Sequence, residues 1–202
     1  MMNHRKVVLL SLLMIAAMSY AKRPLRYVGF ALNNYIAAKP VAGFPKMFYS
    51  QFHPGLTVST GFNWKEREKY SWSQSFKASF FSHRYIQHSL TLYSEFGYRR
   101  KVGKVGVTMA LGGGYLHMFP GVQQFKKDAN GEWKSMTVTS RPQGIISLSL
   151  GVDKAIGGKG YRAFIRYQNM LQTPFIAGYV PLLPYNVLHL GFTMPLKSKK
   201  VL

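Results

Sequence analysis

A side-chain period of two runs through most of this 202-residue chain and constrains its fold more than any other feature. Between Pro54 and Trp64, large apolar residues fall on alternate positions, and the positions between them hold Thr, Ser, Asn or Gly. Because successive side chains of a β-strand point to opposite faces, this pattern predicts a strand with one apolar face. The pattern repeats and predicts eight strands, at 25–34, 54–64, 71–83, 86–99, 104–118, 143–153, 161–168 and 188–196.

The length of these strands distinguishes between two kinds of barrel. Most of the segments have roughly 9–14 residues, whereas a strand of a soluble protein has about 5–6. A soluble lipocalin-like barrel would turn its apolar face inward and expose charges, but the second face here is mostly Ser, Thr and Gly. Long strands of this kind suit a barrel with lipid outside and a polar interior. We therefore predict an all-β fold, an eight-stranded antiparallel transmembrane up-and-down β-barrel formed by a single domain at 22–202.

The lengths of the connections agree with eight strands. In outer-membrane barrels, short periplasmic turns alternate with longer outer loops. With the N-terminus in the periplasm, the predicted turns are 65–70, 100–103 and 154–159, and the predicted outer connections are 35–53, 84–85, 119–142 and 169–186. Three of the four outer connections are long. Alternate connections can be assigned to the two sides of the membrane in two ways, and only this assignment groups the short turns on one side and the long loops on the other.

The N-terminus predicts export from the cytoplasm. Arg5 and Lys6 precede a short apolar segment at 7–18, and small residues stand at Ser19 and Ala21. This is the layout of a secretory signal peptide, which we expect to be cleaved after Ala21. A membrane anchor is the alternative, but the apolar segment is shorter than the ~20 residues that span a bilayer. Export of a β-barrel predicts an outer-membrane location.

The charge of the chain is the second unusual feature. Lys and Arg number 27 against 6 acids, which gives a formal net charge of +21. Nucleic acid, an anionic membrane surface or acidic substrates could each explain such a charge, and export argues against nucleic acid. Most bases cluster at predicted turns and in the tail at 197–202, so we expect them to meet outer-membrane lipid headgroups and lipopolysaccharide phosphates. The absence of cysteine excludes disulfide scaffolds, Cys-type zinc sites and thiol catalysis.

Several motifs in the chain carry a family resemblance. They are the tripeptide at 53–55, the segment at 92–98, the Gly-rich run at 112–115, and His189, Gly191, Met194 and Leu196 of the last strand. On these residues the chain resembles the small eight-stranded outer-membrane β-barrels of Gram-negative bacteria, and most closely the poorly characterised barrel proteins common in Bacteroidetes. The resemblance implies that the barrel assembly machinery recognises the last strand. The chain departs from the family in ending this strand on Leu196 and not on an aromatic residue.

The alternation of side chains along the predicted strands places six charged residues on the interior face. They are Lys77, Glu95, Arg99, Asp153, Arg162 and Arg166. Because buried charges persist only when they are paired, we expect a structural salt-bridge network that fills a narrow lumen. We expect Glu95 to be the acceptor shared by Lys77 and by Arg162 or Arg166. A basic path for an anion is the alternative, although eight strands leave almost no pore.

The sequence favours a protein without an enzymatic activity. Some small barrels act on lipid A, and a deacylase would need His and Ser two positions apart, on one lipid-facing strand. No such pair exists, because Ser82-His83 and His88-Ser89 are adjacent and therefore split across two faces. We also expect no metal site and no cofactor. A lipid A-modifying enzyme and a narrow solute channel remain as alternatives.

Two outer connections indicate surface functions. The segment 119–142 predicts a projecting hairpin, with an Asn-Gly turn at 128–131, although a solvated loop is the alternative. The segment 169–186 is unusually apolar and carries Phe175, Ile176, Tyr179, Val180, Leu182 and Leu183. We expect it either to fold over the barrel mouth beside the aromatic stretch at 44–52, or to dock on an envelope protein partner. The sequence therefore predicts a monomeric barrel with a structural or interaction role at the cell envelope.

Overall fold

The computed structural model describes residues 24–40, 43–84, 86–121, 124–128, 131–136, 140–157, 160–175 and 181–196. These residues form ten β-strands and one turn of 3-10 helix, Pro45–Phe48. The strands are β1 (Tyr27–Ala37), β2 (Pro54–Glu66), β3 (Tyr70–His83), β4 (Gln87–Val102), β5 (Val105–Pro120), β6 (Gln124–Lys127), β7 (Trp133–Met136), β8 (Arg141–Ile156), β9 (Tyr161–Thr173) and β10 (Leu183–Pro195). Within the described residues, no helix combines the length and the apolar character that a membrane crossing requires.

Eight of the strands close into a single barrel. Each strand pairs antiparallel with its neighbour in the order β1-β2-β3-β4-β5-β8-β9-β10, and β10 pairs with β1 from Tyr27↔Pro195 to Ala37↔Tyr185. The strands of the barrel have between 11 and 16 residues. The structure confirms the predicted eight-stranded antiparallel up-and-down barrel. The predicted hairpin is confirmed too, because β6 and β7 pair antiparallel between β5 and β8.

The two ends of the barrel differ in their connections. At one end, which we call the turn end, β1 begins, β10 ends, and short turns join β2 to β3, β4 to β5 and β8 to β9. Gly103 adopts φ +58° in the turn between β4 and β5, a conformation that favours glycine. At the other end, which we call the loop end, the connections are 38–53, 84–86, 121–140 and 174–182. This is the predicted grouping, with three long connections at the loop end.

The outward face of the barrel carries the apolar residues of the alternating pattern. Leu32 is 64% exposed and Leu111 is 61% exposed, and both stand near the middle of their strands. The same belt contains Leu56, Val58, Phe80, Leu92, Met109, Leu150, Ile165 and Leu190. A soluble protein rarely exposes so continuous an apolar surface, whereas an outer-membrane barrel requires one. Phe62 is buried on this face because the rings of Trp64 and Phe76 contact its ring.

The first loop-end connection folds back over the outer wall of the barrel. Asn34 and Asn186 point outward, yet both are buried because this connection covers them. The Asn186 Nδ2 donates to the carbonyls of Ala38 (3.0 Å) and Lys39 (3.2 Å). The Phe44 ring meets Tyr167 of β9 edge-on, with 5.1 Å between the ring centroids. Within the aromatic stretch at 44–52, Phe44 thus packs against the wall, and the Met47 carbonyl accepts a hydrogen bond from Asn34.

Candidate functional site in the barrel lumen

The loop-end half of the lumen is filled by apolar side chains. Tyr35 and Phe81 stack with 4.0 Å between ring centroids and 13° between ring planes, and Tyr185 meets Phe81 edge-on. This cluster, which we call the apolar plug, consists of Tyr35, Phe81, Tyr93, Leu116, Met118, Ile145, Met170, Tyr185 and Val187, all buried. Because these side chains come from β1, β3, β4, β5, β8, β9 and β10, the apolar plug joins nearly the whole circumference and blocks the lumen.

Three glutamines form a neutral polar layer at the same end. Gln87 and Gln172 exchange amide hydrogen bonds of 2.7 and 3.0 Å across the lumen, and the Gln172 amide also donates to Gln143. All three side chains are buried. The Gln143 amide donates to the backbone carbonyl of Phe175 at 3.2 Å, which ties the described start of the 174–182 connection to the lumen. Mutual hydrogen bonding meets the requirement that buried polar groups be paired.

A single carboxylate, Glu95, organises the middle of the lumen. Its side chain forms a salt bridge with Lys77 and lies 3.5 Å from the Arg166 Nη1. Gln168 donates to the Glu95 Oε1 at 2.9 Å, and Ser149 donates to both carboxylate oxygens at 3.3 Å. A buried carboxylate tolerates removal from water when cations and donors surround it in this way.

Glycines of β5 create the space that the large β4 side chains occupy. A Cβ added to Gly112 would lie 2.5 Å from the Glu95 Cγ, and one added to Gly114 would lie 2.5 Å from the Tyr93 Cβ. Any side chain at these positions would therefore displace its neighbour. The interior face of β5 is rich in glycine because the side chains of β4 lie across it.

A second ion-pair cluster lies closer to the turn end. The Arg99 guanidinium binds Asp153 through two hydrogen bonds, from Nε to Oδ1 (2.8 Å) and from Nη2 to Oδ2 (2.9 Å). Arg162 forms a salt bridge with the same carboxylate. Two-point pairing of this kind is the strong form of the arginine–carboxylate contact. Arg99, Asp153 and Arg162 line a cavity of about 310 Å³ that extends to the turn end.

The structure brings together all six charged residues that parity assigned to the interior. They fall into two clusters, in which Glu95 contacts Lys77 and Arg166, and Asp153 contacts Arg99 and Arg162. Sequence reasoning left open which arginine approaches Glu95, and the register brings Arg166 to it. His189 was not among the site residues, but its Nε2 lies 2.9 Å from the Gln168 Oε1 and thereby adjoins the Glu95 cluster. The signal that could have found it is the alternation along the last strand, which places His189 on the face opposite Leu188 and Leu190.

The residues proposed for a docking loop have mixed positions. Ile176, Tyr179 and Val180 lie outside the described residues. Leu183 packs against the apolar plug, whereas Leu182 is 50% exposed. Of the described residues, Leu183 at the start of β10 thus belongs to the packed lumen, and Leu182 presents an apolar side chain on the surface.

Two histidines are in contact at the loop end. The rings of His53 and His83 stack with 3.6 Å between centroids. Burial lowers the pKa of His53, which precedes β2.

The register also pairs Ser82 with His88 on the outward face, a cross-strand pair that spacing along one strand cannot reveal. In the described part of the chain, no group of three or more His, Asp or Glu side chains could hold a metal ion.

Comparisons with known proteins identify the fold. No family model matches the chain, and no curated protein matches it in sequence. Neisserial surface protein A superimposes with a TM-score of 0.53 at 9% identity, covering 85% of this chain and 96% of that one. Matches of lower score include the outer membrane enzyme PagL (TM-score 0.48, 12% identity, 84% and 99% covered). Another is Ail of Yersinia pestis with the heparin analogue sucrose octasulfate (TM-score 0.47, 10% identity, 85% and 98% covered). The chain therefore has the fold of the small outer-membrane barrels.

Proposed function

We propose that this protein is an outer-membrane β-barrel of the Bacteroidetes type, with a structural or interaction role at the cell envelope and no chemistry of its own. The observation that carries the proposal is a lumen blocked by the apolar plug beneath an exposed apolar loop end. A barrel blocked at this end is unsuited to passing solutes, so its loop end acts by contact. On this proposal, residues 1–21 are a cleaved signal peptide and 22–202 form the barrel and its basic tail.

The outward belt supports a location in the membrane. Its exposed apolar side chains form a continuous surface around the barrel, and exposed bases such as Arg67, Arg100 and Lys104 lie at the turn end. With the turn end in the periplasm, these bases meet anionic headgroups. A detergent-refolded barrel should then migrate faster on a gel before boiling than after. A chain that stays soluble without detergent and lacks this shift would contradict the membrane location.

The loop end supports an interaction role. Phe48, Tyr49 and Phe52 are 70%, 73% and 62% exposed, and all three belong to the long first loop-end connection, 38–53. Trp133 of β7 is 68% exposed on the separate hairpin. Exposed aromatic groups in the loop-end connections favour contact with a partner. The partner on this proposal is another envelope protein, and lipopolysaccharide phosphates surround the neighbouring Lys39 and Lys46.

The interaction role is tested by site-specific photocrosslinking in intact cells. A photoreactive amino acid in place of Tyr49 should give one discrete protein adduct, and the substitutions Phe48→Ser and Phe52→Ser should abolish it. The matched control places the same group at Arg67, which is exposed at the turn end. An adduct that is absent from Tyr49, or that Arg67 yields equally, would contradict the proposed role.

Two further measurements distinguish this role from other activities. We expect planar bilayers containing the refolded protein to show no discrete conductance, because the apolar plug blocks the lumen. We also expect the mass spectrum of lipid A to be unchanged when the protein is expressed. Stable conductance steps would favour a narrow channel, and a shift by the mass of one acyl chain would favour a lipid A-modifying enzyme.

A further inference from the structure

The turn-end cavity is lined by more positive than negative side chains. Its basic side chains are Arg26, Lys77, Arg99, Lys101, Arg162 and Arg166, and its acidic ones are Glu66 and Asp153. Ser and Thr hydroxyls complete much of the wall, among them Ser59, Ser71, Ser73 and Thr108. The lining therefore offers cationic groups and neutral donors together.

The ion pairs do not neutralise this cavity. Asp153 is shared by Arg99 and Arg162, and Glu95, directly beyond the cavity, is shared by Lys77 and Arg166. Each carboxylate thus serves two cations and leaves its cluster with one positive charge in excess. Glu66 pairs with Lys101 at 3.4 Å, while Arg26 adds another positive charge at the rim. Excess charge of one sign between low-dielectric walls focuses the field on the cavity and attracts a counter-ion.

The cavity is open only toward the turn end, as far as the described residues show. Its inner limit is formed by Lys77, Arg166 and His189, and beyond them lies the apolar plug. A ligand would therefore enter and leave through the same mouth. This geometry suits a binding site and is unsuited to a path through the barrel.

We propose that the turn-end cavity binds a small phosphate-bearing anion. A volume of about 310 Å³ lies at the lower end of ligand pockets, which span roughly 300–1,000 Å³. It suits a phosphate or diphosphate group and is too small for a whole lipid. A phosphate monoester carries about −1.5 to −2 charges at pH 7, which complements the excess of positive charge. Guanidinium and ammonium groups form charge-assisted hydrogen bonds with phosphate oxygens, and the hydroxyls of the wall can donate to the remaining oxygens.

Titration of the refolded full chain with inorganic pyrophosphate in non-ionic detergent tests this site. We expect a saturable rise of the thermal midpoint with pyrophosphate, beyond the effect of sodium chloride at equal ionic strength. Calorimetric titration should show at least fivefold weaker binding for Arg162→Gln. Because Arg162 also contacts Asp153, Arg26→Gln is the second variant, and it leaves both carboxylate clusters intact. The matched control is Arg100→Gln, an exposed base at the same end that does not line the cavity, and its affinity should equal that of the wild type.

The source of the phosphate is distinguished by repeating the titration in nanodiscs. If phosphatidylglycerol weakens pyrophosphate binding relative to phosphatidylcholine, a lipid headgroup reaches the cavity. If the two lipids give equal affinities, the ligand is a free anion, and either result supports the site. A response to pyrophosphate no greater than the response to chloride would overturn the proposal, as would equal losses in Arg162→Gln and Arg100→Gln. These outcomes do not depend on the loop end, so they leave the proposed interaction role to its own test.

Discussion

The two halves of the lumen are filled by side chains of different chemistry. The loop-end half is closed by the apolar plug and by three hydrogen-bonded glutamines, all without formal charge. The rest of the lumen, from its middle to the turn end, holds Glu95 and Asp153, each shared by two cations, and a cavity. The same strands supply both halves: along the interior face of β9, Arg162 and Arg166 give way to Gln168, Met170 and Gln172. Depth along the strand, and not only the face of the strand, therefore decides the role of an interior residue.

The largest expected loss of stability comes from a substitution on the inward face of β3, in the loop-end half of the lumen. Phe81→Ala removes a fully buried ring that stacks on Tyr35, so we expect the free energy of unfolding to fall by about 3–5 kcal/mol. The matched control is Phe80→Ala, which removes an outward ring that is 48% exposed. In detergent it should cost about 0.5 kcal/mol. Urea unfolding followed by tryptophan fluorescence measures both. Equal effects would contradict a packed plug.

A somewhat smaller effect is expected from the charge network of the middle and turn-end lumen. Glu95→Gln leaves Lys77 and Arg166 facing each other without a counter-charge, so we expect a loss of about 3 kcal/mol in unfolding free energy. The same substitution at Glu66, whose pair with Lys101 is partly exposed, should cost about 1 kcal/mol or less. An unchanged thermal midpoint for Glu95→Gln would show that the network does not support the fold.

The glutamine layer should respond more weakly than either of these. Gln172→Leu removes the central amide of the layer and leaves Gln87 without its partner. We expect a loss of about 1–3 kcal/mol, because a buried amide is then unsatisfied. The variant Gln172→Leu combined with Gln87→Leu should recover part of this loss, because both polar partners are then absent. A double variant less stable than the sum of the two single variants would contradict the mutual pairing.

The smallest effect is a pH dependence at the loop end. Burial lowers the pKa of His53 from its ordinary value of 6.5, so the folded state favours the neutral imidazole. Its contribution is complete above pH 6.5 and is lost as the pH falls from there toward the lower pKa of the folded state. The thermal midpoint of the wild type should therefore fall more between pH 7.5 and pH 5.5 than that of His53→Gln. Equal decreases would show that His53 does not couple to folding.

The alternation of side chains made most of the barrel predictable. Strand number, pairing order and the grouping of connections all followed from parity and length, and β2 and β3 lie within three residues of the predicted bounds. The prediction ended β9 too early and began β10 too late. β10 begins at Leu183, where Pro184 and the apolar residues beside it interrupt the alternation of polar and apolar side chains. Asn186 is a polar residue on the outward face, which is explained only by the connection that covers it.

The interior of the barrel was predictable by face but not by depth. Parity put all six charged residues inside, but it could not separate them into two clusters, because the stagger between strands sets which side chains meet. The apolar plug was missed for a related reason. A polar interior was expected, but Phe81 and Tyr185 are aromatic side chains that point into the lumen. A lumen of eight strands is so narrow that its side chains pack against one another as in the core of a soluble protein. The folded-back first connection depends on contacts with Asn34 and Tyr167 that no local pattern encodes.

The difference between the two halves is tested most directly by the reactivity of single cysteines, which the absence of native cysteine makes possible. Ser50→Cys lies in the first loop-end connection, Ser73→Cys lines the turn-end cavity, and Ser89→Cys is fully buried in the loop-end lumen. In intact cells a membrane-impermeant maleimide should label only Ser50→Cys. Permeabilising the outer membrane should add Ser73→Cys, and only denaturation should add Ser89→Cys. Labelling of Ser89→Cys in the native barrel, or of Ser73→Cys in intact cells, would contradict a lumen that is closed at the loop end and open at the turn end.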